Sequence, residues 1–350
     1  MQLSFETLTR FALRSGINYR YHYNHITQAK RILKRIEGGK GSLSQSVVKQ
    51  CDEYAVDILG HRHFAPWLYV YSVIAGRFKE GWIPDNYYGS AVIPKLKGDY
   101  GIVSALKPLH SAIFSHSCFP DLLSYSNGLY FDTECRVLPA DSIKDRLFAD
   151  QGRVVFKLNN SSRGRGIFFF DRESFDPSKI HKLGNGLFQR FIRQHREFQE
   201  FAKDSVATLR MTTVLLDDGT ASLRASYLRL GIGTDTHVQS ESHVRIPIDI
   251  NSGTFSDIGF TPDWVEIEYH PTSKMRFRGK VIPAYDACHR LVTTLHRRVP
   301  YARCIGWDLA VDEQENVSVM EWNAQHNDIK FSEATQGPCF SDLHWEQLKD

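Results

Sequence analysis

Apolar residues in the first forty positions recur at helical spacing, with Phe5, Leu8 and Ala12 followed by Ile26, Ala29, Leu33 and Ile36, and the run stops at Gly38 and Gly39. That period lays one apolar stripe along a helix and paired glycines end it, so the spacing predicts a helix over 5–36. Residues 44–59 and 65–78 repeat the pattern, with breaks at Gly60 and at 81–84. The opening of the chain therefore reads as helical. A shorter helix is expected at 107–114, a boundary near residue 105, and a Ser/Gly turn at 124–128 behind Pro120.

Beyond residue 150 the pattern shortens to that of strands. Residues 153–156 and 167–170 are two β-prone runs joined by a polar loop, and further strands are expected at 187–192, 208–216, 221–230, 243–250, 306–311 and 317–322. Turn signals at Asp217-Asp218-Gly219 and Asn251-Ser252-Gly253 separate some of them. One helix interrupts the strands at 284–298, where Ala287, Leu291 and Leu295 share a face. No internal repeat or low-complexity tract is present. The class implied is α+β.

The length of 350 residues allows two domains or one elaborated one. Charge is close to balance, 43 Lys+Arg against 40 Asp+Glu, which argues against a chain whose main task is neutralising a nucleic acid. Six cysteines without a C-x-x-C pair read as reduced thiols, not as a zinc site or a disulfide framework, and a cytoplasmic setting is expected. No stretch is apolar enough to span a membrane. The early residues Arg14, Tyr19, Arg20, Tyr21, Tyr23, Lys30, Arg31, Lys34 and Arg35 are basic and aromatic, which suits a solvated helix face and also suits an anionic lipid or partner.

Candidate chemistry begins at 157–166, where two glycines, two arginines and two serines follow a lysine that ends an apolar strand. Backbone N–H groups and cations in such a loop can wrap a polyphosphate. The spacing is neither G-x-x-x-x-G-K-[ST] nor G-x-G-x-x-G, however, and an Arg-Gly repeat also suits a solvated turn. Later, Asp308 follows Gly306-Trp307, and Glu321 and Asn323 flank Trp322. Strand alternation puts Glu321 and Asn323 on one side, and Asp308 joins them if the two strands are antiparallel neighbours turning at 312–315. Such hard oxygen ligands suit magnesium bridging protein to nucleotide phosphates; the plainer reading is a polar strand end. No Ser-His-Asp or Cys-His nucleophile set is evident.

Taken in chain order, Ser205-Val206-Ala207-Thr208-Leu209-Arg210-Met211-Thr212-Thr213, Tyr227-Leu228-Arg229-Leu230-Gly231, His270-Pro271, Ile282-Pro283-Ala284-Tyr285, Ile305-Gly306-Trp307-Asp308 and Glu321-Trp322-Asn323 resemble the blocks of the sugar-transfer-associated ATP-grasp family. The resemblance runs from about Lys107 to the C-terminus. It implies an ATP-grasp fold of two α+β subdomains that clamp ATP, preceded by a mainly helical region. The expected division is 1–105 helical, 106–188 with the glycine-rich phosphate loop, and 189–350 with the metal ligands.

The resemblance also implies roles. Lys157 would contact ATP phosphate oxygens, and Lys107 would be the earlier phosphate-contacting lysine, with Lys95 and Lys97 as competitors. Ser161, Arg163, Gly164 and Gly166 would cover the phosphates. Gln189, Phe191 and Ile192 would lie on a hinge strand whose backbone reads the adenine edge. Arg210 and Arg229 would stabilise the γ-phosphate or an acyl phosphate. Asp308, Glu321 and Asn323 would hold Mg2+, with Mn2+ as its substitute. The segment 231–245, with His237, Glu241, His243 and Arg245, reads as a polar lid. It departs from the family pattern, having Thr234-Asp235-Thr236-His237 where an Asp-Asn pair followed by paired glycines is usual.

The implied activity is ATP-dependent ligation: a small carboxylate is activated as an acyl phosphate and joined to an amine, with release of ADP and phosphate, in polysaccharide or sugar-linked biosynthesis. A kinase phosphorylating a hydroxyl would use the same nucleotide site. A non-catalytic nucleotide-binding protein would not need to keep Asp308, Glu321 and Asn323. Trp264, Tyr269 and Trp307 are aromatic enough to stack on a sugar and more simply serve as core residues.

Overall fold

The computed structural model describes residues 5–114, 118–159, 161, 166–233 and 243–349, with side chains from residue 16 onward. The chain divides into two units, Met1–Gly98 with Asp263–Val265 and Asp328–Asp350, and Asp99–Pro262 with Glu266–Asn327.

The first unit is built from α1 (Phe5–Lys40), α2 (Gln45–Glu53) and α3 (Ala65–Ala75). The α1 stripe buries Ala29, Ile32 and Ile36. By contrast α3 is apolar all round and buries Trp67, Leu68, Val70, Tyr71 and Val73, as a helix in the middle of a core must. Lys40 Nζ donates to the Ile74 carbonyl at 3.3 Å, tying α1 to α3. Helix α3 ends earlier than its apolar pattern suggests, because Gly76 takes φ 72°, a left-handed stop that a side chain disfavours. Helix α2 is also shorter than expected and passes into a π turn over Tyr54–Ile58. Trp264 packs on Trp67 at 6.2 Å and on Phe331 of the Lys330–Gln336 helix at 5.6 Å, so it is a core residue of this unit.

The second unit carries two antiparallel sheets. The strands are β1 (Asp121–Ser126), β2 (Leu129–Asp132), β3 (Val137–Leu138), β4 (Arg153–Leu158), β5 (Ile167–Asp171), β6 (Gly186–Arg190), β7 (Thr208–Leu215), β8 (Ala221–Gly231), β9 (His243–Pro247), β10 (Gly259–Phe260), β11 (Glu266–Ile267), β12 (Cys304–Val311) and β13 (Val317–Asn323). The first sheet runs β3-β2-β1-β6-β4-β5 and the second β11-β10-β9-β8-β7-β12-β13. Helices α4 (His110–Phe114), α5 (Pro177–Leu183) and α6 (Tyr285–His296) belong to this unit. The class is α+β, as the sequence pattern implies.

Each sheet has its own apolar cluster, Phe156, Phe170, Phe175 and Phe188 among the residues of the first, and Leu209, Met211, Trp307 and Trp322 among those of the second. Because side chains alternate, burying Leu209, Met211, Trp307 and Trp322 turns Arg210, Asp308, Glu321 and Asn323 to the opposite face. The core therefore decides which way the polar residues point.

Three expectations are corrected. Residues 124–126 belong to β1, and the turn narrows to Asn127-Gly128 at φ 52° and 87°, a two-residue hairpin of the kind Asn-Gly favours. The hinge strand stops at Arg190, so Phe191 and Ile192 lie beyond it, and β9 stops at Pro247.

Candidate functional site

Arg210, Asp308 and Glu321 stand side by side across β7, β12 and β13, since Arg210 faces Asp308 and Asp308 faces Glu321 in register. Asn323 lies two residues along, opposite Gly306. Arg229 on β8 pairs with Thr208, two residues along from the same row and so on the same face. Asp308 is 5 % exposed and accepts a two-pronged bond from Arg210, Nε to Oδ1 at 2.6 Å and Nη2 to Oδ2 at 2.9 Å. Arg229 Nη2 approaches the same Oδ1 at 3.2 Å, and Asn323 Nδ2 donates to Oδ2 at 3.4 Å. Burial alone would lift the Asp308 carboxyl; the two guanidiniums outweigh it and hold the group below the usual carboxylate range.

Arg210 is fixed from a third direction, with Nη1 donating to the Asn327 carbonyl at 2.9 Å. Gly306 makes that possible. A Cβ there would lie 3.0 Å from Arg210 Nη1 and 3.0 Å from Asn327 Cβ. Asn327, buried and essential to this geometry, carries no sequence signal: it lies four residues past Asn323 in an irregular segment.

The lysines come from the other sheet and from the turn before α4. Lys107 Nζ is 3.6 Å from Glu321 Oε1 and donates to the Ser161 carbonyl at 3.2 Å, while its backbone N–H donates to Asn159 Oδ1. Lys157, on β4, donates through Nζ to the Met320 carbonyl at 3.4 Å. Burial pulls the Lys157 ammonium below the usual lysine range, with Glu321 and Asp121 working against the shift. Of the competing lysines, Lys97 sits over the Tyr88 ring at 5.1 Å within the first unit.

The glycine-rich loop is described at both ends. Leu158 N–H donates to the Gly166 carbonyl, Ser161 Oγ donates to the Leu158 carbonyl, and Gly166 at φ 71° leaves no room for a Cβ, which would lie 2.9 Å from Ser161 Cβ. Arg163 and Gly164 lie outside the described residues, as do His237 and Glu241 of the expected lid.

Gln189 is buried, and its Nε2 donates to Asp121 Oδ1 at 2.8 Å; Ser111 Oγ donates to Oδ2 at 2.8 Å. Asp121, a residue the sequence gives no reason to single out, is thus the acceptor that holds the Gln189 side chain of β6, and burial lifts its carboxyl. Phe191 meets Phe169 edge-on at 6.1 Å, with the Arg153 guanidinium 5.3 Å away, and Ile192 is buried. A cavity of about 1200 Å³ opens beside Phe191 and Ile192, lined also by Cys118, Arg153, Leu291 and Val317. None of Lys107, Lys157, Asp308 or Glu321 borders it, so converging charge marks the site and volume does not. Tyr269 is exposed and accepts from Arg276, against its expected place in a core, whereas Trp307 is fully buried.

The arrangement is a set of four cations and two carboxylates held on two sheets and on the turn before α4. Glu321 is half-buried with Lys107 as its ion-pair partner, and Asn323 lies beside Asp308. This donor chemistry fits a hard divalent cation.

The sugar-transfer associated ATP-grasp family matches residues 142–343 of the chain. Among solved structures, the chain is 12% identical to the ATP-grasp ligase PsnB complexed with its minimal precursor, over 71% of this chain and 62% of that one, with a TM-score of 0.42. It is 11% identical to biotin carboxylase from Campylobacter jejuni, over 91% and 68%, at 0.46. It is 8% identical to N5-carboxyaminoimidazole ribonucleotide synthetase with ADP, over 65% and 44%, at 0.34. No curated protein matches in sequence. The family match spans more than half of the residues and covers the whole second sheet, β4, β5 and β6 of the first, and the row of Arg210, Asp308 and Glu321, and by it the chain belongs to the sugar-transfer associated ATP-grasp family.

Proposed function

We propose that the chain is an ATP-dependent carboxylate–amine ligase. The observation that carries this reading is the meeting of Lys107 and Lys157 with Glu321 and its neighbour Met320, beside the Arg210–Asp308–Arg229 cluster. Cations on one side and hard oxygens on the other form a site for a polyphosphate.

In the proposed reaction a carboxylate oxygen attacks the γ-phosphorus of ATP, and the bond to the β-phosphate oxygen breaks to release ADP. The acyl phosphate is then attacked at its carbonyl by an amine; a C–N bond forms, phosphate leaves, and the amine gives up a proton. Lys107 and Lys157 hold phosphate oxygens, and the loop from Asn159 to Gly166, with Ser161, Arg163 and Gly164, covers them. Gln189, Phe191 and Ile192 receive the adenine, with Asp121 holding the Gln189 side chain. Asp308, Glu321 and Asn323 are the residues to hold Mg2+, which when bound neutralises the β- and γ-phosphates. Arg229 and Arg210 face the charge that develops on the transferred phosphoryl group. Positioning and charge stabilisation account for most of such catalysis, so no nucleophilic side chain is required.

Family membership supports a sugar-linked acceptor, and six scattered cysteines without a C-x-x-C pair support a cytoplasmic setting. The test is release of ADP and phosphate from ATP and magnesium with pooled amino acids, sugar amines and amino sugars, with hydroxylamine in a parallel reaction. A hydroxamate is expected, and its mass names the acid. A stable phosphorylated hydroxyl product would replace the ligase with a kinase; nucleotide binding without turnover of any acceptor would leave a binding protein.

A further inference from the structure

Charge along this chain is segregated. Residues 7–36 hold seven of the 43 Lys and Arg and none of the 40 Asp and Glu, so this stretch is +7 and the rest of the chain is −4. The stretch lies within α1, whose inward face is buried through His22, Ala29, Ile32 and Ile36. The outward face therefore holds Tyr19, Arg20, Tyr23, Lys30, Arg31 and Lys34, all of them exposed. Tyr19 is 74% and Tyr23 57% exposed, and their rings stack with centroids 6.3 Å apart. Among the described residues none of Arg20, Lys30, Arg31 and Lys34 has a carboxylate partner, whereas Arg35, at the edge of the strip, reaches Asp263 at 3.7 Å.

From this we infer that α1 docks flat on an anionic bilayer surface. The positions from Tyr19 to Lys34 span roughly 23 Å of helix, a strip that a planar surface of like-charged headgroups can meet along its whole length. Lysine and arginine near such a surface attract it strongly, and tyrosines settle at the headgroup level with the ring inward and the hydroxyl wet. The contact is interfacial and does not span: among the described residues no helix is long and apolar enough to cross a membrane.

The full chain should sediment with vesicles of phosphatidylcholine mixed with an equal part of phosphatidylglycerol, and not with phosphatidylcholine alone. Raising the salt well above about 0.1 M should release it, because screening shortens the reach of the headgroup charge. The Lys30→Gln, Arg31→Gln, Lys34→Gln triple variant should bind roughly a hundredfold more weakly. Tyr19→Ser with Tyr23→Ser should weaken binding while leaving its salt dependence unchanged. All five positions are exposed, so the fold should survive, and an unchanged circular dichroism spectrum confirms it. Equal binding to both vesicles, failure to bind either, or a triple variant that binds like the parent overturns the inference. So does a dimer whose formation hides α1, or retention on RNA with none on vesicles. Each readout is independent of ATP turnover.

Discussion

The carboxylate of Asp308 receives the Arg210 fork on both oxygens and a further contact from Arg229. The two arginines differ in what else they do. Arg210, 6 % exposed, also donates to the Asn327 carbonyl, whereas Arg229 is more open and also donates to Tyr227 Oη at 3.4 Å. Removing one partner of a buried pair strands the other, at a cost of about 3–5 kcal/mol. Arg210→Ala should therefore lower the denaturation midpoint sharply. Arg229→Gln should leave the midpoint nearly unchanged while reducing ATP turnover by about a hundredfold or more, as loss of a donor aimed at transition-state charge does. Equal loss of stability in the two variants would refute this division. Glu321→Ala removes a half-buried carboxylate, proposed above as a metal ligand, and no core volume. It should abolish magnesium-dependent turnover and weaken magnesium-dependent ATP binding in calorimetry, with the midpoint preserved; retained turnover would remove Glu321 from the metal set.

At the level of strands, the contact between β4 and β6 depends on a missing side chain. Gly186 lies opposite Leu158, and a Cβ there would come within 2.5 Å of the Lys157 carbonyl and 2.5 Å of the Phe156 ring. Neither neighbour is a flexible chain end, so Gly186→Ala should cost about 1–3 kcal/mol by overpacking and should shift Lys157, visible as a lower denaturation midpoint together with weaker ATP affinity. An unchanged midpoint would mean that the strands part freely. The strands expected at 153–156, 208–216, 306–311 and 317–322 were legible to within two residues at each end because their residues are β-prone. The candidate row was legible because Asp308, Glu321 and Asn323 interrupt an apolar alternation around Trp307 and Trp322. β1 was not legible, since Leu122, Leu123, Ser124, Tyr125 and Ser126 mix strand formers with turn residues and only pairing with β2 and β6 decides between them. Nor were Asp121 and Asn327, whose parts in the site come from contacts at a sequence distance of 68 and 117 residues.

At the scale of the whole chain, buried titratable groups set how folding responds to pH. In the second unit His110 is 1% exposed, with Nε2 bonded to the Ser104 carbonyl at 3.1 Å. Burial, reinforced by Lys107 and Lys157 and opposed by the Ser104 bond, brings its pKa down to about 3 from 6.5. The folded imidazole stays neutral while the unfolded one takes a proton below 6.5, so stability falls as pH drops from 6.5 toward 3, by about 1.4 kcal/mol per pH unit where the slope is full. In the first unit Glu333 has the opposite sense. Burial lifts its carboxyl to about 7 from 4.5, so the folded state keeps a proton that the unfolded state has released, and that contribution is lost as pH rises from 4.5 to 7. Comparing total stability at two pH values would mix these effects, but a variant separates them. His110→Gln keeps an amide donor near the Ser104 carbonyl and cannot titrate. Its denaturation midpoint should fall below the parent's at pH 7.5, from lost packing against Phe119 and Trp322, and the gap should narrow steadily between pH 6.5 and 4.5 as only the parent loses stability through His110. Parallel midpoint curves over that range would show that the imidazole takes up its proton in the folded chain, and would remove His110 as a source of acid lability.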